Sequence, residues 1–297
     1  MIDNPAELVR ALEPEKEFFI GIDSDGCAFD TMEIKHKECF TPNFVKHWGL
    51  QAVSKYAREA WEFANLYSKT RGANRFLTLI QCLDLLRERD EVGARGLEIP
   101  QAQAVRDWCG RETKLGNPTL EREVERTGDP VLTQALTWSK GVNASVADIV
   151  YGVPPFPLVR ESLERAAPRA DMMVVSSTPV EALEREWREH GIDQFVRLIC
   201  GQEMGSKKEH LAMAAKDKYP SAKILMIGDA PGDRKAALAN DALFFPINPG
   251  HEEESWRGFF DEGLERFFAG EFAGEYQQRL IEEFEALLPV DPPWRTA

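Results

Sequence analysis

Two aspartates one residue apart are the first feature of this chain with the potential for chemistry. Asp23 and Asp25 end the short apolar run Glu17–Ile22, which is typical of a buried β-strand. Side chains two positions apart in a strand point the same way, so the two carboxylates can face one pocket. Gly26 then allows a sharp turn. The alternative is an exposed turn in which aspartates are simply favourable turn residues.

Polar residues also follow two later apolar runs. The run MMVV at 172–175 ends in Ser176, Ser177 and Thr178, before a predicted helix. Hydroxyls and backbone N–H groups at a helix start can bind an anion, although N-capping by Ser177 or Thr178 explains them equally well. The run KILMI at 223–227 leads into Gly228 and the carboxylates Asp229 and Asp233.

The spacing of these runs predicts that the carboxylates meet. C-terminal ends of parallel strands lie on one edge of a sheet, where Asp23, Asp25, Asp229 and Asp233 would converge. Four carboxylates in one crevice repel one another unless a cation holds them, and an all-oxygen ligand set favours Mg²⁺. A lysine at the start of the next predicted helix, Lys207 or Lys208, could balance their charge. Solvated surface lysines are the alternative.

The elements that position these residues indicate an α/β core with an insertion. Apolar strands alternate with helices from Leu158 to Phe245, which predicts a parallel sheet covered on both faces. Residues 31–152 have helical periodicity almost throughout and end in the breaker-rich string YGVPPFP. The predicted strands after the first one cover 171–175, 195–200, 223–227 and 242–245, and the predicted helices cover 158–167, 180–190, 207–218 and 234–239.

With these motifs in order, the chain resembles the haloacid dehalogenase superfamily of phosphohydrolases. DSDGCAFDT is similar to the first motif of that superfamily, MMVVS to the second, Lys207 with Lys208 to the third, and ILMIGDAPGD to the fourth. The resemblance implies a Rossmann-like core at 1–31 and 153–250, with an all-α cap inserted at 32–152. A helical extension at 251–297 is expected to pack on the core.

The resemblance also implies a role for each motif residue. Asp23 would be the nucleophile that forms an aspartyl phosphate, and Asp25 the general acid and base. Ser176 and Ser177 would bind the phosphoryl group, and Lys207 would balance charge, with Lys208 as the alternative lysine. The ligands implied for Mg²⁺ are Asp23, the backbone carbonyl of Asp25, Asp229 and the supporting Asp233.

Asp25 favours one reaction within the superfamily. Relatives that cleave carbon–halogen or carbon–phosphorus bonds resemble one another in lacking an acid at this position, so its presence predicts hydrolysis of a small phosphorylated metabolite. A phosphoglucomutase-like phosphotransferase remains an alternative, because the same residues serve it. A non-catalytic binding protein that retains the fold is the alternative from another class.

The implied cap would choose the substrate. Caps of this kind close over the site and contact the leaving group. Within residues 32–152, Arg71, Asn74 and Arg75 cluster around Gly72 and are the predicted substrate residues. A solvated connection between helices is the alternative.

Composition restricts partners and compartment. A formal charge of -14 argues against nucleic acid or an anionic membrane as a partner. The five cysteines have no metal-ligand spacing, and no apolar run is long enough to cross a bilayer, so a cytoplasmic protein is expected. Aromatic residues recur at helical spacing through 252–288, which predicts packing on the core, with a homodimer surface as the alternative.

Overall fold

The computed structural model describes residues 5–295, which divide into two compact units. The core unit contains the described residues up to Met32 together with Gly152–Leu288. The helical unit contains Glu33–Tyr151 and the described residues from Pro289 onward. The predicted C-terminal extension at 251–297 is therefore divided, because its last residues group with the helical unit.

The core unit is built on a parallel sheet, which confirms the predicted fold class. Within residues 5–295 the sheet has five strands in the order β3-β2-β1-β4-β5. Every pairing is parallel, and the strands are nearly all buried because helices cover both faces. The strands are β1 (Phe18–Ile22), β2 (Ala170–Val175), β3 (Leu198–Cys200), β4 (Ile224–Gly228) and β5 (Leu243–Pro246).

The helical insertion lies between β1 and β2, as predicted. The α-helices in chain order are α1 (Pro5–Arg10), α2 (Thr31–Ile34), α3 (Thr41–His47), α4 (Ser54–Leu66), α5 (Arg75–Arg87), α6 (Asp90–Gly93), α7 (Gln103–Arg111), α8 (Asn117–Thr127), α9 (Pro130–Ile149), α10 (Val159–Ala166), α11 (Val180–Glu189), α12 (Lys207–Ala214), α13 (Pro231–Ala239), α14 (Glu252–Gly258), α15 (Leu264–Ala269) and α16 (Glu275–Ala286). Stretches of π-helix at Lys35–Phe40 and Phe259–Gly263 continue α2 and α14.

Two predicted elements are longer than the observed ones. The strand predicted from Phe195 begins only at Leu198, because Asp193–Phe195 form a 3-10 turn. The helix predicted to reach Lys218 ends at Ala214, and three residues later Asp217 has a φ of 66°, which no α-helix accommodates.

Hydrophobic side chains fill both faces of the sheet. Alternate residues of β1 point to opposite faces, so Phe18, Ile20 and Ile22 join one cluster and Phe19 joins the other. The C-terminal aromatics extend these clusters: Trp256, Phe259 and Phe267 lie in the first and Phe284 in the second. The aromatic stripe is therefore core packing in this unit.

The helical unit has its own hydrophobic core. Its buried side chains come from α3 to α9 and include Trp61, Trp108 and Trp138. Trp294, near the end of the chain, packs against Phe63 and lies beside the guanidinium of Arg89, 4.6 Å from the ring centroid. These contacts explain why the last residues group with this unit. Among the described helices, none is both long and apolar enough to span a membrane.

Candidate active site at the carboxyl edge of the sheet

Asp23 is positioned by the central strand of the sheet. It follows β1 directly, and its backbone N–H donates to the carbonyl of Ile227 in β4 at 3.0 Å. Its carboxylate is 5% exposed, and Oδ1 accepts the N–H of Ser24 at 2.8 Å. The neighbouring strand therefore fixes both the backbone and the edge at which the carboxylate lies.

The end of β4 brings two further carboxylates to the same edge. Asp229 and Asp233 are both buried, and Asp233 lies in the first turn of α13, where Oδ2 accepts the N–H of Ala230 at 3.0 Å. The Asp233 side chain also packs closely against the end of β4. A Cβ atom added at Gly228 would lie only 2.4 Å from this side chain. Glycine at 228 is therefore required for this close approach.

Lys207 joins these carboxylates. Its Nζ lies 2.5 Å from Oδ2 of Asp23 and 2.5 Å from Oδ1 of Asp233. A capping box between Ser206 and Glu209 fixes the start of α12, which carries the lysine. Lys208 is exposed, so Lys207 is the lysine that the helix directs to the site.

The electrostatics of the cluster follow from its burial. Burial raises the pKa of Asp23 to about 6, with Lys207 opposing the rise and Asp229 adding to it. Burial likewise raises the pKa of Asp233 to about 6, again opposed by Lys207. Burial by itself would lower the pKa of Lys207, but the carboxylates of Asp23, Asp233 and Asp229 outweigh it and raise the pKa. Lys207 is therefore a cation throughout the physiological range.

The donor set fits a divalent metal ion. Carboxylate oxygens of Asp23, Asp229 and Asp233 all lie within 4.8 Å of one another, and all three residues are buried. Three ionised carboxylates and one ammonium leave a net charge of -2 (−3 + 1), which one divalent cation would balance. Oxygen ligands of this kind suit the hard ion Mg²⁺.

Asp25 occupies a different environment, lined by hydroxyls. Its Oδ1 accepts the hydroxyl of Thr31 at 2.5 Å, and its Oδ2 accepts the hydroxyl of Thr178 at 2.7 Å. The sequence predicted Thr178 as an anion-binding hydroxyl or a helix cap, and neither prediction includes a hydrogen bond to Asp25; Thr31 had no predicted role. The polar run after β2 was the available signal for Thr178, but the contact joins residues 153 positions apart.

Ser176 lies at the same edge, and Ser177 does not share its environment. Ser176 is buried at the end of β2, and its Oγ accepts the N–H of Thr178 at 3.3 Å. Ser177 is exposed. At the start of α11, the N–H of Val180 donates to Glu203 at 3.0 Å, so a carboxylate of the protein already uses one of the predicted anion-binding groups.

The predicted substrate residues lie in the helical unit, in three different settings. Both polar groups of the Asn74 side chain are engaged: Oδ1 accepts the N–H of Phe76, and Nδ2 donates to the carbonyl of Leu115. Arg71 is buried and donates to the carbonyl of Leu66.

Arg75 differs from both. Its guanidinium donates to Ser139 and Asn143 and lies 5.0 Å from the centroid of the Phe40 ring. Burial lowers the pKa of Arg75 to about 10, so it remains a cation at neutral pH. Among residues 5–295, no carboxylate forms an ion pair with it. Arg75 is thus a cation held by neutral groups.

Solved structures with a similar fold come from haloacid dehalogenase-like hydrolases. One, a hydrolase of that family from Streptococcus pneumoniae, is 13% identical over 81% of this chain and 90% of its own, with a TM-score of 0.49. Another, a predicted phosphoglycolate phosphatase from Haemophilus somnus 129PT, is 14% identical over 80% and 88%, with a TM-score of 0.45. A subfamily IA hydrolase of the superfamily from Geobacter sulfurreducens PCA is 15% identical over 79% and 90%, with a TM-score of 0.40.

No protein-family model matches the chain, and no curated protein matches it. Two of the three solved structures, those from Streptococcus pneumoniae and Geobacter sulfurreducens, are named as haloacid dehalogenase-like or HAD-superfamily hydrolases. At these identities and TM-scores, the matches say nothing about the activity of this chain.

Proposed function

We propose that this protein is a Mg²⁺-dependent phosphatase that hydrolyses a small phosphorylated metabolite through an aspartyl phosphate on Asp23. One observation carries the proposal: Lys207 bridges Asp23 and Asp233 at 2.5 Å inside a buried cluster of three carboxylates. A buried ammonium lowers the cost of bringing a phosphate dianion to an already negative edge.

In the first step, a carboxylate oxygen of Asp23 attacks the phosphorus atom and the bond to the leaving oxygen breaks. Asp25, protonated at this stage, gives its proton to that oxygen, and the alcohol departs. The products are the aspartyl phosphate and an ionised Asp25. The hydroxyls of Thr31 and Thr178, both bonded to Asp25, hold its carboxyl group in place and stabilise the charge that appears on it.

In the second step, Asp25 takes a proton from water while the water oxygen attacks the phosphorus. The bond between phosphorus and Asp23 breaks, which releases inorganic phosphate and restores both carboxyl groups to their starting states. Ser176, buried at the end of β2, is the proposed donor to the transferring phosphoryl oxygens. Ser177 is a weaker candidate for this role because its side chain is exposed. Lys207 stays protonated through both steps because its pKa is raised.

Asp23 and Asp229 are the proposed Mg²⁺ ligands, joined by the backbone carbonyl of Asp25, and Asp233 is proposed to support them from its contacts with Lys207 and Ala230. When bound, the ion would withdraw negative charge from the phosphoryl group as it is transferred. The net charge of the carboxylate and lysine cluster supports a divalent rather than a monovalent ion.

The proposed substrate contacts are in the helical unit. We retain Arg71 and Arg75 as candidates, and Arg75 is the better supported because no described carboxylate pairs with it. The structural use of both polar groups of Asn74 weakens the case for that residue. Arg75 favours a substrate with an anionic group in addition to the phosphate that is cleaved.

Replacing Asp23 with Asn tests the proposed chemistry directly. We expect Mg²⁺-dependent release of phosphate from p-nitrophenyl phosphate to fall by at least roughly a thousandfold, because an amide cannot replace a carboxylate nucleophile. Asp217→Asn is the matched control: Asp217 is exposed and has a φ of 66°, a conformation that Asn tolerates. It should retain wild-type activity.

Unchanged turnover in Asp23→Asn would eliminate Asp23 as the nucleophile. A panel of sugar phosphates separates hydrolysis from the phosphoglucomutase-like alternative, since a hydrolase releases inorganic phosphate. Formation of an isomer without free phosphate would replace the proposed phosphatase with a phosphotransferase.

A further inference from the structure

The loop that carries Asp25 is a compact turn with its own internal bonds. The carbonyl of Ser24 accepts the N–H groups of Ala28 at 2.9 Å and Phe29 at 3.0 Å. Gly26 has a φ of 73° and donates its N–H to the carbonyl of Phe29. The position of Asp25 therefore depends on residues 24–29 as one body.

Two buried tryptophans hold this loop from outside. Trp187 of α11 donates its indole N–H to Oγ of Ser24 at 2.9 Å. Trp256 of α14 donates its indole N–H to the backbone carbonyl of Cys27 at 2.7 Å. Both indoles are fully buried. Trp256 lies in the C-terminal helices, which follow the last strand of the sheet in the chain.

The hydrogen bond from Trp256 satisfies the backbone carbonyl of Cys27, which has no other donor among the described residues. Cys27 is fully buried, and in residues 5–295 the Trp256 indole is the one hydrogen-bond donor to its carbonyl. Leaving a buried carbonyl without a donor is energetically unfavourable, so the loop would shift to recover a partner. The Cys27 thiol also donates to the carbonyl of Ile227, which already accepts the N–H of Asp23.

We propose that Trp256 is a positioning residue for phosphoryl transfer: its indole N–H fixes the carbonyl of Cys27 and thereby holds Asp25 where it can protonate the leaving oxygen. The inference rests on the proposed function and adds a role for the C-terminal helices. Trp256 acts through the loop and touches neither substrate nor phosphoryl group. Its loss should impair proton donation and leave attack by Asp23 intact.

The basicity of the leaving group separates these two effects. Phenolate is a basic leaving group that needs a proton, whereas 2,4-dinitrophenolate leaves without one. In Trp256→Phe, which removes the N–H and keeps an aromatic ring, kcat/KM for phenyl phosphate, which reports formation of the aspartyl phosphate, should fall roughly tenfold, as expected for partial loss of general acid catalysis. The kcat/KM for 2,4-dinitrophenyl phosphate should change by less than about twofold, because this quantity excludes the second step, in which Asp25 acts as the base for both esters.

A second measurement requires no turnover. Hydrogen exchange of the backbone amides in residues 24–29, followed by mass spectrometry, should be faster in Trp256→Phe than in the wild type. The matched control is Phe259→Leu, which removes ring packing against Trp256, at a centroid distance of 5.7 Å, and no hydrogen bond. It should leave the ratio of the two kcat/KM values and the exchange of residues 24–29 unchanged.

Equal loss on both esters, or no loss on either, in a folded Trp256→Phe protein would overturn the inference, as would unchanged exchange of residues 24–29. If Trp256→Phe does not fold, benzothienylalanine at position 256 keeps the shape of the indole and removes its N–H, and the same ratio decides. A wild-type protein that hydrolyses neither ester would instead refute the proposed function, and the inference with it.

Discussion

Replacing Lys207 with Met tests the electrostatic design of the site. The substitution keeps an unbranched side chain of similar length and removes the ammonium that bridges Asp23 and Asp233. Three buried carboxylates would remain without a cation of the protein, and the net charge of the cluster would change from -2 to -3 (−2 − 1). The folded state should therefore lose stability before any effect on catalysis is considered.

The structure sets the size of this loss. The side chain of Lys207 is 16% exposed and those of Asp23 and Asp233 are 6% and 0% exposed, so the contacts are little screened by water. Removing one partner of a buried ion pair costs about 3–5 kcal/mol. We expect a decrease of this size in the free energy of unfolding at pH 8, measured by urea denaturation with a chelator present.

The loss should depend on pH in a defined direction. The pKa values of Asp23 and Asp233 are already raised to about 6, and without Lys207 they rise further. A carboxyl group with a raised pKa in the folded state contributes most stability below its unfolded pKa, and this contribution is lost as the pH rises through the folded value. The difference between wild type and variant should therefore shrink as the pH falls from 8 to 5.

Lys208→Met is the matched control, because Lys208 is the next residue of the same helix and is exposed. It should change the free energy of unfolding by less than about 0.5 kcal/mol. The reasoning is refuted if the two variants lose the same stability at pH 8. It is also refuted if the deficit of Lys207→Met grows as the pH is lowered.

Two further predictions concern hydrogen bonds to carboxylates of the core unit. Thr178→Val removes a hydroxyl that donates to Asp25 at 2.7 Å, so kcat/KM for phenyl phosphate should fall roughly tenfold and kcat/KM for 2,4-dinitrophenyl phosphate should change little. Equal losses of kcat/KM on both esters would contradict this role. Asp171 accepts hydrogen bonds from Tyr219 and Arg197, which together with two backbone N–H groups outweigh burial and lower its pKa. Asp171→Asn should therefore cost about 2 kcal/mol at pH 7. A carboxyl group with a depressed pKa contributes stability above its unfolded pKa, and this contribution is lost as the pH falls through the folded value. Urea denaturation should therefore show that the loss of unfolding free energy in Asp171→Asn vanishes in acid. A loss that persists in acid would contradict this role of Asp171.

Local patterns in the sequence were enough to predict the sheet and its polar edge. Apolar runs that end in polar residues placed Asp23, Ser176 and Asp229 at strand ends, since a strand and the residue that follows it are contiguous in the chain. Parallel pairing then brings those ends to one edge whatever the details of packing. The start of α12 was also predictable, although the helix ends earlier than its periodicity suggests.

Other contacts could be found only in three dimensions. The side chains of Thr178 and Trp256 reach residues 25 and 27 across 153 and 229 positions of sequence, and no local pattern encodes such a separation. Trp294 likewise joins the helical unit through Phe63 and Arg89, against the prediction that the whole C-terminal region would pack on the core.

The sequence by itself therefore determined which residues stand at the carboxyl ends of the strands, because that depends on a period of two and on contiguous apolar runs. Tertiary structure alone decided which groups those carboxylates contact. The bridge from Lys207 to Asp23 and Asp233 depends on how α12 is rotated against the sheet, and the hydroxyls around Asp25 depend on where the segment after β2 turns. Both are set by the packing of whole elements, which no single segment of the chain specifies.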